Sequence, residues 1–169
     1  MAVRRFPVML CVASGLMAGG VASADVTMPA ALAVGKDMQL VLSSHAEGAQ
    51  VYDCAAGKNE WVLKGPDATL FDAQGAEIGK HYAGPTWELE DGSLITGELS
   101  AKDPGPDATA IPWLLLKVKT NNGRGLLAQV AAIQRIETVG GLAPKGGCKQ
   151  GDEMRAPYTA TYRFFAMKS

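Results

Sequence analysis

Histidine is nearly missing from this chain: His45 and His81 are the only two in 169 residues. An imidazole-based metal centre uses three or four protein ligands, so these two would have to recruit carboxylates such as Glu47, Glu88 or Asp91. No loop shows the ligand spacing of a calcium motif, and no metal is expected. Cysteine is scarce as well, three residues with no Cys-x-x-Cys spacing. Nothing gathers the 16 basic residues into a patch, which argues against nucleic acid as a partner. Beyond the first two dozen residues no apolar run approaches the roughly 20 residues of a membrane helix. A Gly-x-Ser-x-Gly elbow is also missing. Ser43, Ser44, His45 and Asp53 offer the raw material of a serine hydrolase, but neighbouring Ser and His in a strand face opposite ways.

What is present begins with Arg4 and Arg5, followed by an uncharged stretch over residues 6–21 that ends in Ala22-Ser23-Ala24. A positive start, a short apolar run and a small-x-small site describe a secretory signal peptide, cut after Ala24. The run is about 16 residues long and is broken by Pro7, Gly15, Gly19 and Gly20, too short for an anchor. Pro7 argues against a twin-arginine signal, and Val8-Met9-Leu10 against lipidation of Cys11. The expectation is residues 1–24 as a cleaved signal peptide and 25–169 as a single domain, periplasmic or extracellular, with no membrane span. Losing Arg4 and Arg5 moves the net charge from −1 to −3.

Cys54 and Cys148 then remain. An even pair in an oxidising compartment reads as one disulfide. The alternatives, a metal thiolate pair or a redox-active pair, lack supporting ligands and spacing.

Short alternating runs separated by turn signals fill the mature chain. Met38-Gln39-Leu40-Val41-Leu42-Ser43 alternates, and Gln50, Tyr52 and Cys54 share one face opposite Ala49, Val51 and Asp53. Trp61-Val62-Leu63-Lys64 precedes a predicted turn at Gly65-Pro66-Asp67, and Asp72-Ala73-Gln74-Gly75 predicts another. Glu90-Asp91-Gly92 carries a hairpin signal. Trp113-Leu114-Leu115-Leu116 reads as a buried central strand, and Tyr158, Ala160, Tyr162 and Phe164 form one stripe. Residues 126–139 fit either helix or strand. Many short strands with Gly and Pro turns predict an all-β fold, an antiparallel β-sandwich or barrel in one domain stapled by one disulfide.

An ordered set of motifs adds to this. It comprises Gln50-Val51-Tyr52-x-Cys54, the segment His81-Tyr82-Ala83-Gly84-Pro85-Thr86-Trp87-Glu88 with Asp91-Gly92-Ser93, and Ile111-Pro112-Trp113-Leu114-Leu115-Leu116. Ile133-Gln134-Arg135, Gly140-Gly141-x-Ala143-Pro144, Cys148 and Pro157-Tyr158-Thr159-Ala160 complete it. Together they resemble the domain-of-unknown-function family catalogued under number 3455, found in exported bacterial proteins and in fungal ones. The resemblance implies an exported single domain with a Cys54–Cys148 pair and no known activity, although some fungal relatives carry a malate dehydrogenase label.

That label has one point of contact here. Gly123-Arg124-Gly125-Leu126-Leu127-Ala128 matches Gly-x-Gly-x-x-Ala, yet a dinucleotide fingerprint needs a βαβ unit with an acidic residue about 20 positions on. Asn121-Asn122-Gly123 reads equally as a turn. No cofactor is expected, NAD included. The segment 81–88 is the first place to look for an active or binding surface. His81 and Glu88 would be acid and base, or Trp87 and Tyr82 would stack on a sugar ring. The plainer alternative is a turn at Gly84-Pro85 with Trp87 in the core. Two function classes follow. One is a β-domain binding a small molecule, a glycan or an envelope protein. The other is a hydrolase of an envelope or extracellular polymer centred on His81 and Glu88. They differ in whether His81 and Glu88 line a shared pocket.

Overall fold

The structure, a computed structural model, describes residues 27–169. The predicted signal peptide and Cys11 lie outside the described residues. After a short 3₁₀ turn at Ala30–Leu32 come eight strands: β1 (Met38–Cys54), β2 (Trp61–Phe71), β3 (Glu77–Tyr82), β4 (Thr86–Leu89), β5 (Leu94–Asp103), β6 (Trp113–Asn121), β7 (Val130–Gly140) and β8 (Glu153–Met167). Each strand pairs with its successor, and β8 returns to β1 from Met38↔Met167 to Asp53↔Glu153, giving a closed antiparallel barrel. Between sandwich and barrel, the backbone selects the barrel, and closure gives every strand a neighbour on both sides.

Alternation decides which side chains enter. On β8, Tyr158, Ala160, Tyr162 and Phe164 point inward and are buried. Lys80, Glu88, Glu98 and Lys117 stand exposed on the strands facing them. Ser44 is buried while His45 is exposed, on opposite faces of β1.

In a meander every second loop falls at the same end. Leu70, Ile95, Leu127, Ile133 and Phe164 are wholly buried and fill the half nearest the β2–β3, β4–β5 and β6–β7 loops. Each such side chain contributes about 1.5–3 kcal/mol by leaving water. The Asp91 carboxylate closes that end. It accepts from the Ser93 backbone N–H (2.9 Å) and hydroxyl (2.6 Å), and from the Leu126 N–H across the barrel (2.6 Å). These three bonds hold the Asp91 carboxyl below its ordinary pKa, the Ser93 hydroxyl contributing most. Gly92, at φ 81°, makes the hairpin turn beside it.

The opposite end carries the Cys54–Cys148 disulfide, which ties the last residue of β1 to the β7–β8 loop. It also carries the β5–β6 loop, folded down onto β7. Thr138 Oγ1 donates to the Ile111 carbonyl at 2.6 Å, and Arg135 donates through Nη2 (2.9 Å) and Nε (3.3 Å) to the Pro112 carbonyl.

Two local expectations change and one open alternative is resolved. Gly65-Pro66-Asp67 is no turn; β2 runs straight through it, and the extra residue is absorbed as a bulge where Val51 pairs Gly65 and Tyr52 pairs Leu63. Residues 126–139 contain no helix: 130–139 belong to β7, preceded by a loop. The apolar run of β6 is not a central strand, since a closed barrel has none. Trp113 and Leu115 are covered from outside, where Trp113 and Ile136 form a small second core with Leu32, and Gln134 Nε2 donates to the Leu32 carbonyl at 2.6 Å.

Candidate functional site

The strands β3 and β4 are joined by the tight turn at Ala83-Gly84-Pro85, which fixes their register: His81 opposes Trp87, Lys80 opposes Glu88 and Tyr82 opposes Thr86. Because neighbours in a strand alternate faces, this pairing splits the predicted cluster in two. His81 and Trp87 project into the barrel and are 2% and 1% exposed. Tyr82 and Glu88 lie outside, where the Tyr82 hydroxyl donates to Glu88 Oε2 at 2.9 Å. That bond raises the pKa of Tyr82 above its ordinary value. The structure therefore does not bring His81 and Glu88 into one cleft, and Tyr82 and Trp87 do not form one stacking platform.

Inside, His81 lies flat on Trp87, with ring centroids 4.4 Å apart and planes 11° from parallel. Tyr162 meets both edge-on, at 4.9 Å from His81 and 5.6 Å from Trp87. His81 Nδ1 is 2.8 Å from the Thr86 carbonyl. A carbonyl only accepts, so Nδ1 carries the proton and Nε2 keeps its lone pair. Burial holds the imidazole neutral and lowers its pKa to about 3; the Thr86 carbonyl opposes that shift, and the Arg135 charge adds to it. A base this weak is poorly matched to proton transfer near neutral pH.

These aromatics line a cavity of about 320 Å³ in the disulfide half of the barrel, the volume of roughly ten waters. Leu114, Leu116, Pro66 and Pro85 supply apolar wall, and Leu63 and Leu99 stand exposed at its rim. Gln50 and Arg135 bring polarity from β1 and β7. Gln50 is 1% exposed, and its Nε2 has no hydrogen-bond partner; neither does the buried Nε1 of Trp87. Buried donors almost always find partners; Ser44 Oγ and Gln134 Oε1, away from the cavity, lack one as well. An eight-stranded barrel is at the size where side chains fill the interior or leave room for one small ligand. Here one half is filled, and the other leaves a half-open pocket beside its packed aromatics.

Gln50 and Tyr162 are legible in the sequence only as members of alternating faces. Arg135 carries a signal of its own, a cation set with Gln134 between Ile133 and Ile136. The remaining sequence candidates lie elsewhere. His45 Nε2 and Glu47 Oε1 are 3.2 Å apart on the outer surface, and among the described residues no three His, Cys, Asp or Glu side chains converge. The Gly-x-Gly match is a loop between antiparallel strands, with its Leu126 N–H taken by Asp91. A Cβ on Gly125, at φ 59°, would collide with the Asp91 carboxylate. Glycine serves close packing at that position.

A family model described as "Protein of unknown function (DUF3455)" matches residues 35–166. Comparison with curated proteins and with solved structures gives no match.

Proposed function

The chain belongs to the DUF3455 family of proteins of unknown function, and we propose that it is an exported binding protein whose barrel takes up one small, largely apolar molecule. The observation that carries this reading is the half-open pocket in the disulfide half of the barrel: a cavity of about 320 Å³ bordered by stacked aromatic rings and leucines, with Arg135 and Gln50 among its lining residues. Ligand sites are concave, mostly apolar and furnished with a few polar groups that orient the guest. The volume suits one or two fused rings better than a glycan chain.

Export is supported by the signal-peptide pattern and by the disulfide, which persists in oxidising compartments. The charged outer face also fits a barrel surrounded by water, since membrane-spanning barrels present an apolar band outward. Among the described residues no helix is long and apolar enough to cross a membrane. Intact-mass measurement on the exported form should find Asp25 as the first residue. A full-length chain held in the membrane fraction would overturn that part of the reading.

The cavity is tested with N-phenyl-1-naphthylamine, a neutral probe that brightens in apolar surroundings. It should bind with a micromolar Kd. Leu114→Trp enlarges a half-buried lining side chain into the space and should weaken binding about tenfold, a loss of 1.4 kcal/mol. Val139→Glu, at an exposed position away from the cavity, should leave it unchanged. No binding by the parent protein, or equal losses in both variants, would refute the assignment.

A further inference from the structure

We infer that the guest is an organic anion: a flat apolar body bearing a carboxylate or comparable oxyanion, with Arg135 as its counter-ion. This rests on the barrel cavity being a ligand site, and it is carried by the charges on the cavity wall. Two cations line the space, Lys64 and Arg135, and no Asp or Glu does. The chain as a whole is slightly acidic, at −1, so the positive wall is a local arrangement.

The two cations differ. Lys64 is already neutralised at the surface, with Nζ 2.9 Å from Glu153 and 3.6 Å from Asp53. Arg135 has no carboxylate partner among the described residues. It donates through Nε and Nη2 to the Pro112 carbonyl and reaches the Tyr162 hydroxyl; a guanidinium has five N–H groups, so donors remain for a guest. His81 beside it is neutral and supplies no compensating charge. A part-buried cation without a counter-charge is costly, and an incoming carboxylate removes that cost while accepting charge-assisted hydrogen bonds. Gln50 is buried on the same wall beside the Tyr158 hydroxyl and adds polarity there without a charge. The aromatic box of His81, Trp87 and Tyr162 receives the ring.

Two isosteric probes separate charge from shape: 2-naphthoate and its neutral counterpart 2-naphthamide, titrated calorimetrically at neutral pH. The naphthoate should bind at least about tenfold tighter, the scale of a hydrogen bond to a charged group. Arg135→Met keeps the length of the side chain and removes its charge. It should bring the two affinities within about twofold by weakening the naphthoate alone. The parent ratio decides the matter even if Arg135→Met misfolds through losing its hold on Pro112. Equal binding of the pair by the parent protein, with N-phenyl-1-naphthylamine still bound, overturns the anion inference and leaves the cavity assignment standing. A preference that survives Arg135→Met overturns the role of Arg135. Failure of all three probes to bind overturns both readings.

Discussion

Replacing Cys54 and Cys148 together by alanine should lower the unfolding free energy by up to about 4–5 kcal/mol, the chain-entropy value for a loop of this length. The cysteines are 94 positions apart, so the bond constrains most of the unfolded domain. Residual structure in the unfolded chain commonly reduces such gains, which makes this an upper figure. Total stabilities of single domains are about 5–15 kcal/mol, so the loss is a large share of what is available. Both sulfurs are nearly buried at the mouth of the barrel, and two alanines leave only a small void. Urea unfolding of the oxidised parent and the double variant should give well-separated midpoints. Coincident midpoints would show that the bond adds nothing to the closed barrel.

Acid should also destabilise the protein through a single residue, His81. Its ordinary pKa of 6.5 falls to about 3 in the folded barrel because burial penalises the imidazolium. In the unfolded chain His81 takes up a proton below about pH 6.5, while the folded chain does not until about pH 3. The unfolded state therefore binds more protons throughout that window, and stability drops as pH falls, by up to roughly 1.4 kcal/mol per pH unit. Above pH 6.5 the contribution is complete and flat. His81→Phe keeps a ring against Trp87 and cannot titrate; the lost bond to Thr86 adds only a pH-independent offset. Between about pH 7.5 and about pH 4.5 the parent should lose about 2–3 kcal/mol more than the variant. Parallel pH profiles would mean that His81 is protonated in the folded state.

The strands were readable because period-two alternation is local. The stripe Tyr158, Ala160, Tyr162, Phe164 needs no partner to be seen, and Asp91-Gly92 announces its hairpin. Residues 126–139 were ambiguous for a physical reason. Leu127, Val130 and Ile133 are buried in the main core and Ile136 on the outer face beneath Leu32, so both faces carry apolar residues. A turn spans 126–129, and register shifts fall between Val130 and Ala132 and between Ile136 and Val139. Glu137, at φ 51° within the second irregularity, breaks the alternation further. A bulge inserts one residue and shifts the phase, which imitates a 3.6 period over a short window. Sandwich and barrel could not be separated, since closure depends on one pairing between the two ends of the chain. The site was half visible. Segment 81–88 stands out by composition, but which of its side chains face inward depends on the register of β3 and β4, since adjacent residues in a strand part. Arg135 and Tyr162 are register partners on consecutive strands, Gln50 comes from the far end of the chain on β1, and only the closed barrel assembles them around His81.

The β1–β8 seam also governs how the domain is made. It joins the first strand synthesised to the last, so the most sequence-distant contacts in the fold are also the ones that complete it. Topologies dominated by such contacts fold slowly, in milliseconds to seconds. Until β8 arrives, β1 offers an open edge 17 residues long, and β7 offers another. Both are templates for pairing with a second chain. Substitutions along β8 that delay closure should therefore increase aggregation during expression before they measurably change equilibrium stability. Cys148 precedes β8 and Cys54 ends β1, so the disulfide latches the domain beside the seam that is last to form.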